Sequence, residues 1–132
     1  MKMAQTILIV DDSATARMII KRCLTIAGFQ EAEFIEAGNG KEALQAAREN
    51  TIDLLISDLN MPEMDGKQLL RHVKASPRLN YLPVMLVTSS NNPAIERELK
   101  ELGAFAVMNK PVAPANLAEA LKDNFEQSSW GE

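Results

Sequence analysis

The chain has 132 residues, a formal net charge of −4, 46% hydrophobic residues and 24% charged ones. That length can bury one real core, and the balance is that of an ordinary globular protein rather than a disordered or fibrous one. The acidic balance, without a basic run, argues against direct nucleic-acid binding. The single cysteine, Cys23, excludes an internal disulfide. With no secretory signal and no apolar run of spanning length, the chain reads as cytosolic, without membrane insertion.

After a loose terminus, Thr6-Ile7-Leu8-Ile9-Val10 is an apolar, β-branched run that predicts a buried first strand ending in Asp11-Asp12. Ser13 is placed to cap a helix carrying Ala16, Ile20, Cys23, Leu24 and Ala27 at helical spacing, and Gly28 to end it. Cys23 on that face reads as a small core residue. Residues 31–37 alternate partly in polarity and predict an edge strand. Gly38-Asn39-Gly40 is a turn signal before a helix with Ala43, Leu44 and Ala47 inward, ending near Asn50.

Leu54-Leu55-Ile56 suits a central strand buried on both faces, and the run stops at Asp58, with Pro62 unable to extend it. Residues 64–75 predict a helix with Leu69, Leu70 and Val73 inward, broken by Ser76-Pro77. Pro83 to Thr88 is a fourth strand, and Ile95, Leu99 and Leu102 mark a fourth helix ended by Gly103. Ala104 to Asn109 is a fifth strand leading to Lys110-Pro111. The last helix runs from about Pro114 to Phe125, with Leu117, Leu121 and Phe125 on one side. A polar tail, 126–132, follows, with Trp130 read as exposed. The seven methionines read as core filler, His72 as a surface residue, and Glu96, Glu98, Lys100 and Glu101 as a solvated helix face.

Five alternating strand–helix pairs predict an α/β fold: one domain over 1–132, its core at about 6–125, with helices on both faces of a five-stranded parallel sheet. With the second strand at an edge, the flavodoxin-like order 2-1-3-4-5 fits. In such a sheet all strand ends point to one crevice, which gathers Asp11, Asp12, Asp58, Thr88 and Lys110. Two like charges about 4 Å apart repel by about 4 kcal/mol at an effective dielectric near 20. One lysine among three acids leaves a deficit that a hard divalent cation such as Mg²⁺ would remove, and Mg²⁺ favours sharing its shell with a phosphate. Asp58, at the centre, is then placed to act as a nucleophile toward phosphorus, with Lys110 and the metal ion neutralising phosphoryl oxygens and Thr88 donating to one of them.

Asp11-Asp12, Asp58-Leu59-Asn60-Met61-Pro62 with Asp65-Gly66, Thr88-Ser89 and Lys110-Pro111 each fall at a predicted strand end or just beyond. In this the chain resembles the response-regulator receiver domains over essentially its whole length, and the stand-alone chemotaxis type in particular. The resemblance implies that Asp58 accepts a phosphoryl group from the histidine of a sensor kinase or a histidine phosphotransfer domain. It also implies a Mg²⁺ site of Asp11, Asp12, Asp58 and Asn60, with Asp12 a direct ligand, Asp11 acting through water and Asn60 through its backbone carbonyl, while Thr88 and Lys110 couple phosphorylation to shape. The expected protein is a monomeric signalling switch, not an enzyme. It would act on a downstream protein through its fourth helix, fifth strand and fifth helix.

One position departs from the family pattern. An aromatic residue often stands three positions before the lysine, where this chain has Val107; Phe105, two residues earlier, is expected on the same strand face. Two other readings are weaker. A phosphohydrolase with an aspartyl-phosphate intermediate usually needs a second acid where Asn60 stands, and a cap for which no residues are spare. A mononucleotide binder needs a phosphate-cradling loop where Asp11-Asp12 would repel the phosphate.

Overall fold

A computed structural model describes residues 5–124; the expected helix residue Phe125 and the exposed Trp130 lie outside them. The elements are β1 (Thr6–Val10), α1 (Ala14–Ile26), β2 (Glu33–Ala37), α2 (Gly40–Glu49), β3 (Leu54–Asp58), α3 (Gly66–Ala75), β4 (Val84–Thr88), α4 (Pro93–Glu101), β5 (Ala106–Asn109) and α5 (Pro114–Asn124). The strands form one sheet in the order β2-β1-β3-β4-β5, parallel throughout. The expected order and the edge position of β2 are both observed.

Alternation along each strand divides the apolar residues between two cores. Ile7, Ile9, Leu54, Ile56, Met85 and Val87 meet Ile20, Cys23 and Leu24 of α1 and Leu117 and Leu121 of α5. Leu8, Val10, Leu55, Val84 and Leu86 meet α2, α3 and α4 through residues such as Leu44, Leu70 and Leu99. The central strands β3 and β4 are buried at every position, which is why they read as unbroken apolar runs.

Local chemistry sets the helix ends. Ser13, Asn39 and Asn92 each accept a backbone N–H of the first turn. α3 starts at Gly66, two residues later than expected, because Asp65 and Gln68 form a reciprocal capping box. α1 and α4 end at Gly28 (φ 115°) and Gly103 (φ 118°). In both, the residue after the glycine donates back into the helix, Phe29 to Leu24 at 3.0 Å and Ala104 to Leu99 at 3.0 Å.

That second cap corrects the fifth strand. Ala104 is held by α4, so β5 begins at Ala106 rather than at 104. Phe105 lies before the strand, outside its alternation, and packs against the α1–α5 core, whereas Val107 packs on the α2–α4 side. The expectation that the two share a face is therefore wrong. Nor are the methionines uniformly core: Met85 is fully buried, but Met18 is 50% exposed beside Ile19 and Ile26 on the outer side of α1. The expected solvated face of α4 is partly paired, through Glu96–Lys100 within the helix and Glu98–Lys67 to α3. Lys74 of α3 lays its stem against Gly103 and donates to the carbonyls of Asn80 (3.2 Å) and Leu82 (2.7 Å).

Gly66 has no room for a side chain: a Cβ there would lie 2.5 Å from the Asp58 carbonyl oxygen and 2.9 Å from Leu59 Cα. Both neighbours are backbone, so the β3–α3 connection itself would have to move. Gly66→Ala should therefore destabilise by about 1–3 kcal/mol, the usual range for overpacking. The urea midpoint measures this, and a midpoint at or above wild type would contradict the close packing.

Candidate functional site

The strand registers bring the polar ends together. Val10 pairs with Ser57, Asp58 with Val87, and Thr88 with Asn109, so Asp11, Asp58, Thr88 and Lys110 follow one another across one edge of the sheet. Asp11, Asp58 and Thr88 are buried, and Asp12 is exposed. One carboxylate oxygen from each of Asp11, Asp12 and Asp58 lies within 4.8 Å of the other two. Lys110 Nζ reaches both buried acids, at 3.2 Å from Asp58 Oδ1 and 3.4 Å from Asp11 Oδ2.

The charges are mutually strained. Burial, and then the Asp11 charge, push the Asp58 carboxyl above its ordinary range, while Lys110 and the Asn60 backbone N–H pull it back. Burial works against the Lys110 ammonium, but Asp11 and Asp58 outweigh it and raise its pKa, so the lysine remains charged. One ammonium among three carboxylates leaves the cluster anionic. An all-oxygen donor set of this charge fits a hard divalent cation of the Mg²⁺ kind and offers nothing to a soft one.

Each group is held from behind. Asp11 Oδ1 accepts the Ser13 N–H at 2.9 Å, and the Asp11 N–H donates to Ala37 at 3.1 Å. The Ser57 hydroxyl donates to the Asp58 carbonyl at 2.9 Å. Thr88 Oγ1 accepts the Ser90 N–H at 3.1 Å, and the Lys110 N–H donates to the Thr88 carbonyl at 2.9 Å. The loop after β4 is tied to β5, where the Asn91 N–H donates to Asn109 Oδ1 at 3.3 Å. Asn60 follows Asp58 in the connection to α3, where Glu63 takes a left-handed φ of 68°.

The structure thus brings together Asp11, Asp12, Asp58 and Lys110, with Thr88 at the adjoining strand end and Asn60 contributing its N–H. His72 stands apart, exposed on α3, and Cys23 is buried with its thiol toward the Val112 carbonyl. Sequence reasoning missed Arg17 and Glu36. Arg17 Nη1 donates to the Asp11 carbonyl at 2.6 Å, and its Nε donates to Glu36 at 2.8 Å. The only signal available was an outward-facing acid near the end of an edge strand and a cation six residues beyond Asp11. Their meeting becomes visible once β2 is placed beside β1.

A doubly wound parallel sheet with an acidic, lysine-bridged crevice at its strand ends defines an α/β protein of the class that takes its ligand at those ends. Comparison with known proteins narrows it. The family model for the response regulator receiver domain matches residues 7–122. The chain is 39% identical to the chemotaxis protein CheY of Pseudomonas aeruginosa, over 92% of this chain and 96% of that one. It is 36% identical to CheY-3 of Vibrio cholerae, over 92% of each. The solved structure of V. cholerae CheY4 superposes with a TM-score of 0.80 at 32% identity, covering 91% of this chain and 98% of that one. The chain belongs to the response regulator receiver domain family. Its members serve two-component signalling as phosphoacceptor regulators rather than as catalytic enzymes. Among the described residues, no helix is long and apolar enough to cross a membrane.

The strain at Asp58 has a sign. A carboxyl held above its ordinary pKa in the folded chain keeps a proton that the unfolded chain has released. The stability this represents is full below the ordinary carboxylate pKa and is lost as pH rises through the raised one. Without metal, Asp58→Asn should therefore be more stable than wild type at pH 7, and the gap should close as pH falls toward about 4. Urea midpoints across that range provide the check. A gap that stays constant would show that Lys110 offsets the burial, and one that reverses that it more than compensates.

Proposed function

We propose that this chain is a phosphoryl-accepting switch of a two-component relay, acting as a cytoplasmic monomer. It takes its phosphoryl group from the histidine of a sensor kinase or of a histidine phosphotransfer domain. The observation that carries the reading is the lysine shared between Asp58 and Asp11 inside a three-carboxylate crevice, in a chain of the receiver family.

Asp58 is the phosphoacceptor. Its carboxylate oxygen attacks phosphorus, the bond from phosphorus to the donor imidazole nitrogen breaks, and that nitrogen keeps the electron pair and is reprotonated. Lys110, already 3.2 Å from Asp58 Oδ1, is positioned to accompany charge developing on the phosphoryl oxygens. Asp11, Asp12, Asp58 and the Asn60 carbonyl would hold Mg²⁺, which neutralises phosphoryl charge when bound. Asp11 and Asp12 serve this by holding oxygen donors at the crevice mouth, and Asp11 is assigned contact through water.

Readout runs through Thr88. Its hydroxyl oxygen accepts the Ser90 N–H, leaving the hydroxyl proton for a phosphoryl oxygen, and a charge-assisted bond of that kind is stronger than a neutral one. Thr88 is joined through Lys110 to β5, and through Ser90 and Asn91, whose Nδ2 donates to Glu96, to the start of α4. The receiving surface for a downstream protein is therefore α4, β5 and α5. Val107 fills the α4 side with little volume, and Phe105 packs in the other core, so the repacking is small and does not involve Phe105. A ligand shifts such an equilibrium only by its differential affinity for the two states.

Two measurements test the reading. With Mg²⁺ and a small phosphodonor, intact-mass analysis should show one phosphoryl group on wild type and none on Asp58→Asn; equal labelling of both would remove Asp58 from its role. With a phosphoryl mimic bound, amide exchange should change across residues 89–112. Thr88→Ala should still accept phosphate but lose much of that change. A change confined to α1 or α2, or one surviving in Thr88→Ala, would redirect the readout surface.

A further inference from the structure

Arg17 lies outside the acidic cluster, yet it makes one of the shortest polar contacts near it. Its Nη1 is 2.6 Å from the Asp11 carbonyl, which belongs to the peptide joining Asp11 to Asp12. Its Nε is fixed by Glu36 Oε1 at 2.8 Å, and the other oxygen of Glu36 takes Lys21 Nζ at 3.0 Å. Hydrogen bonds from Arg17 and Lys21 hold the Glu36 carboxyl below its ordinary range, which favours its ionised, accepting form. The N–H of Asp11 is bound to Ala37, one residue beyond Glu36 on β2. Edge strand β2 therefore grips Asp11 twice, directly at its N–H and through the arginine at its carbonyl.

We propose that Arg17, oriented by Glu36, is a positioning residue that sets the Asp11–Asp12 peptide plane and thereby the metal affinity of the crevice. The inference rests on the metal-binding reading above. A peptide plane has two ends: fixing the Asp11 carbonyl also fixes the nitrogen and Cα of Asp12, so the point from which the exposed Asp12 side chain leaves is set and only rotation about its N–Cα bond remains to aim it. Among the described residues no hydrogen bond or ion pair holds the exposed Asp12 side chain, while Asp11 is buried and held by Ser13 and Lys110. Hydrogen bonds that orient a metal ligand from behind tune affinity, and losing one typically costs about 10–100-fold. The guanidinium suits the task because its planar fork presents two donors in fixed relation, one to the acid and one to the carbonyl. The interaction is partly shielded from solvent, with the Arg17 side chain 19% exposed.

The experiment is a Mg²⁺ titration by calorimetry on wild type, Arg17→Ala, Arg17→Lys, Glu36→Gln, the Arg17→Ala/Glu36→Gln double variant and Asp12→Ala. Arg17→Ala should weaken Mg²⁺ by about tenfold, the lower end of what loss of an orienting partner costs. Glu36→Gln should weaken it less, and the double variant should be no worse than Arg17→Ala alone, since both act through one contact. Arg17→Lys should restore part of the loss, which a gross folding defect would not allow. In metal-free buffer, Arg17→Ala should also speed amide exchange at Asp11 and Ser13 without changing that of β3. If wild type binds Mg²⁺ and Asp12→Ala does not, but Arg17→Ala binds as wild type does, the positioning role is overturned and the metal site stands. If wild type does not bind, or Asp12→Ala binds equally well, the metal reading falls and the proposal with it.

Discussion

Everything at the functional edge answers one electrostatic constraint: three carboxylates within a few ångströms, two of them buried, with a single ammonium to serve them. Such a cluster is unfavourable in isolation. It persists because the surrounding sheet is over-determined. β3 and β4 are buried along their whole length, and their side chains alternate between two separate cores. The hydrophobic stabilisation of the two layers holds the acids in place, and the crevice stays anionic and receptive. Function here is an electrostatic debt carried by a well-packed scaffold.

The same scaffold explains how a small site can affect distant elements. Lys110 reaches two acids with its side chain, while its backbone N–H is bonded to the Thr88 carbonyl. The fifth strand therefore has two attachments to the crevice, one ionic and one through the sheet ladder. The ionic one can be redistributed when the charge on Asp58 changes; the ladder bond is a fixed reference against which that redistribution acts. On the other flank, β2 is attached through Asp11 and Arg17. Both edges of the sheet thus answer to the same cluster.

Most of this was legible in the sequence because strand ends are marked by abrupt changes of chemistry. The apolar runs give way to Asp11 just after β1, to Ser57-Asp58 at the end of β3 and to Asn109-Lys110 at the end of β5, and parallel topology makes those ends converge. Three features were not legible, for different reasons. The fifth strand starts late because a helix cap takes Ala104, a local backbone bond that β-propensity does not report, and Phe105 packs in the other core. The capping box that delays α3 competes with a periodicity that extends past it. Arg17 and Glu36 are nineteen residues apart and meet only across two elements. Local patterns cannot pair such residues, although each side chain's outward placement is readable.

The packing of Lys74 against Gly103 has a mechanical meaning. The lysine stem lies where a side chain on Gly103 would be, and its ammonium is spent on the Asn80 and Leu82 carbonyls. The C-terminal end of α4 is thereby clamped to α3 and to the approach to β4. Its N-terminal end is carried by the exposed loop residues Ser89, Ser90 and Asn92. A rod clamped at one end and borne at the other by a loop is a lever. Forces arising at Thr88 reach it at the loop end, where the lever arm about Gly103 is longest.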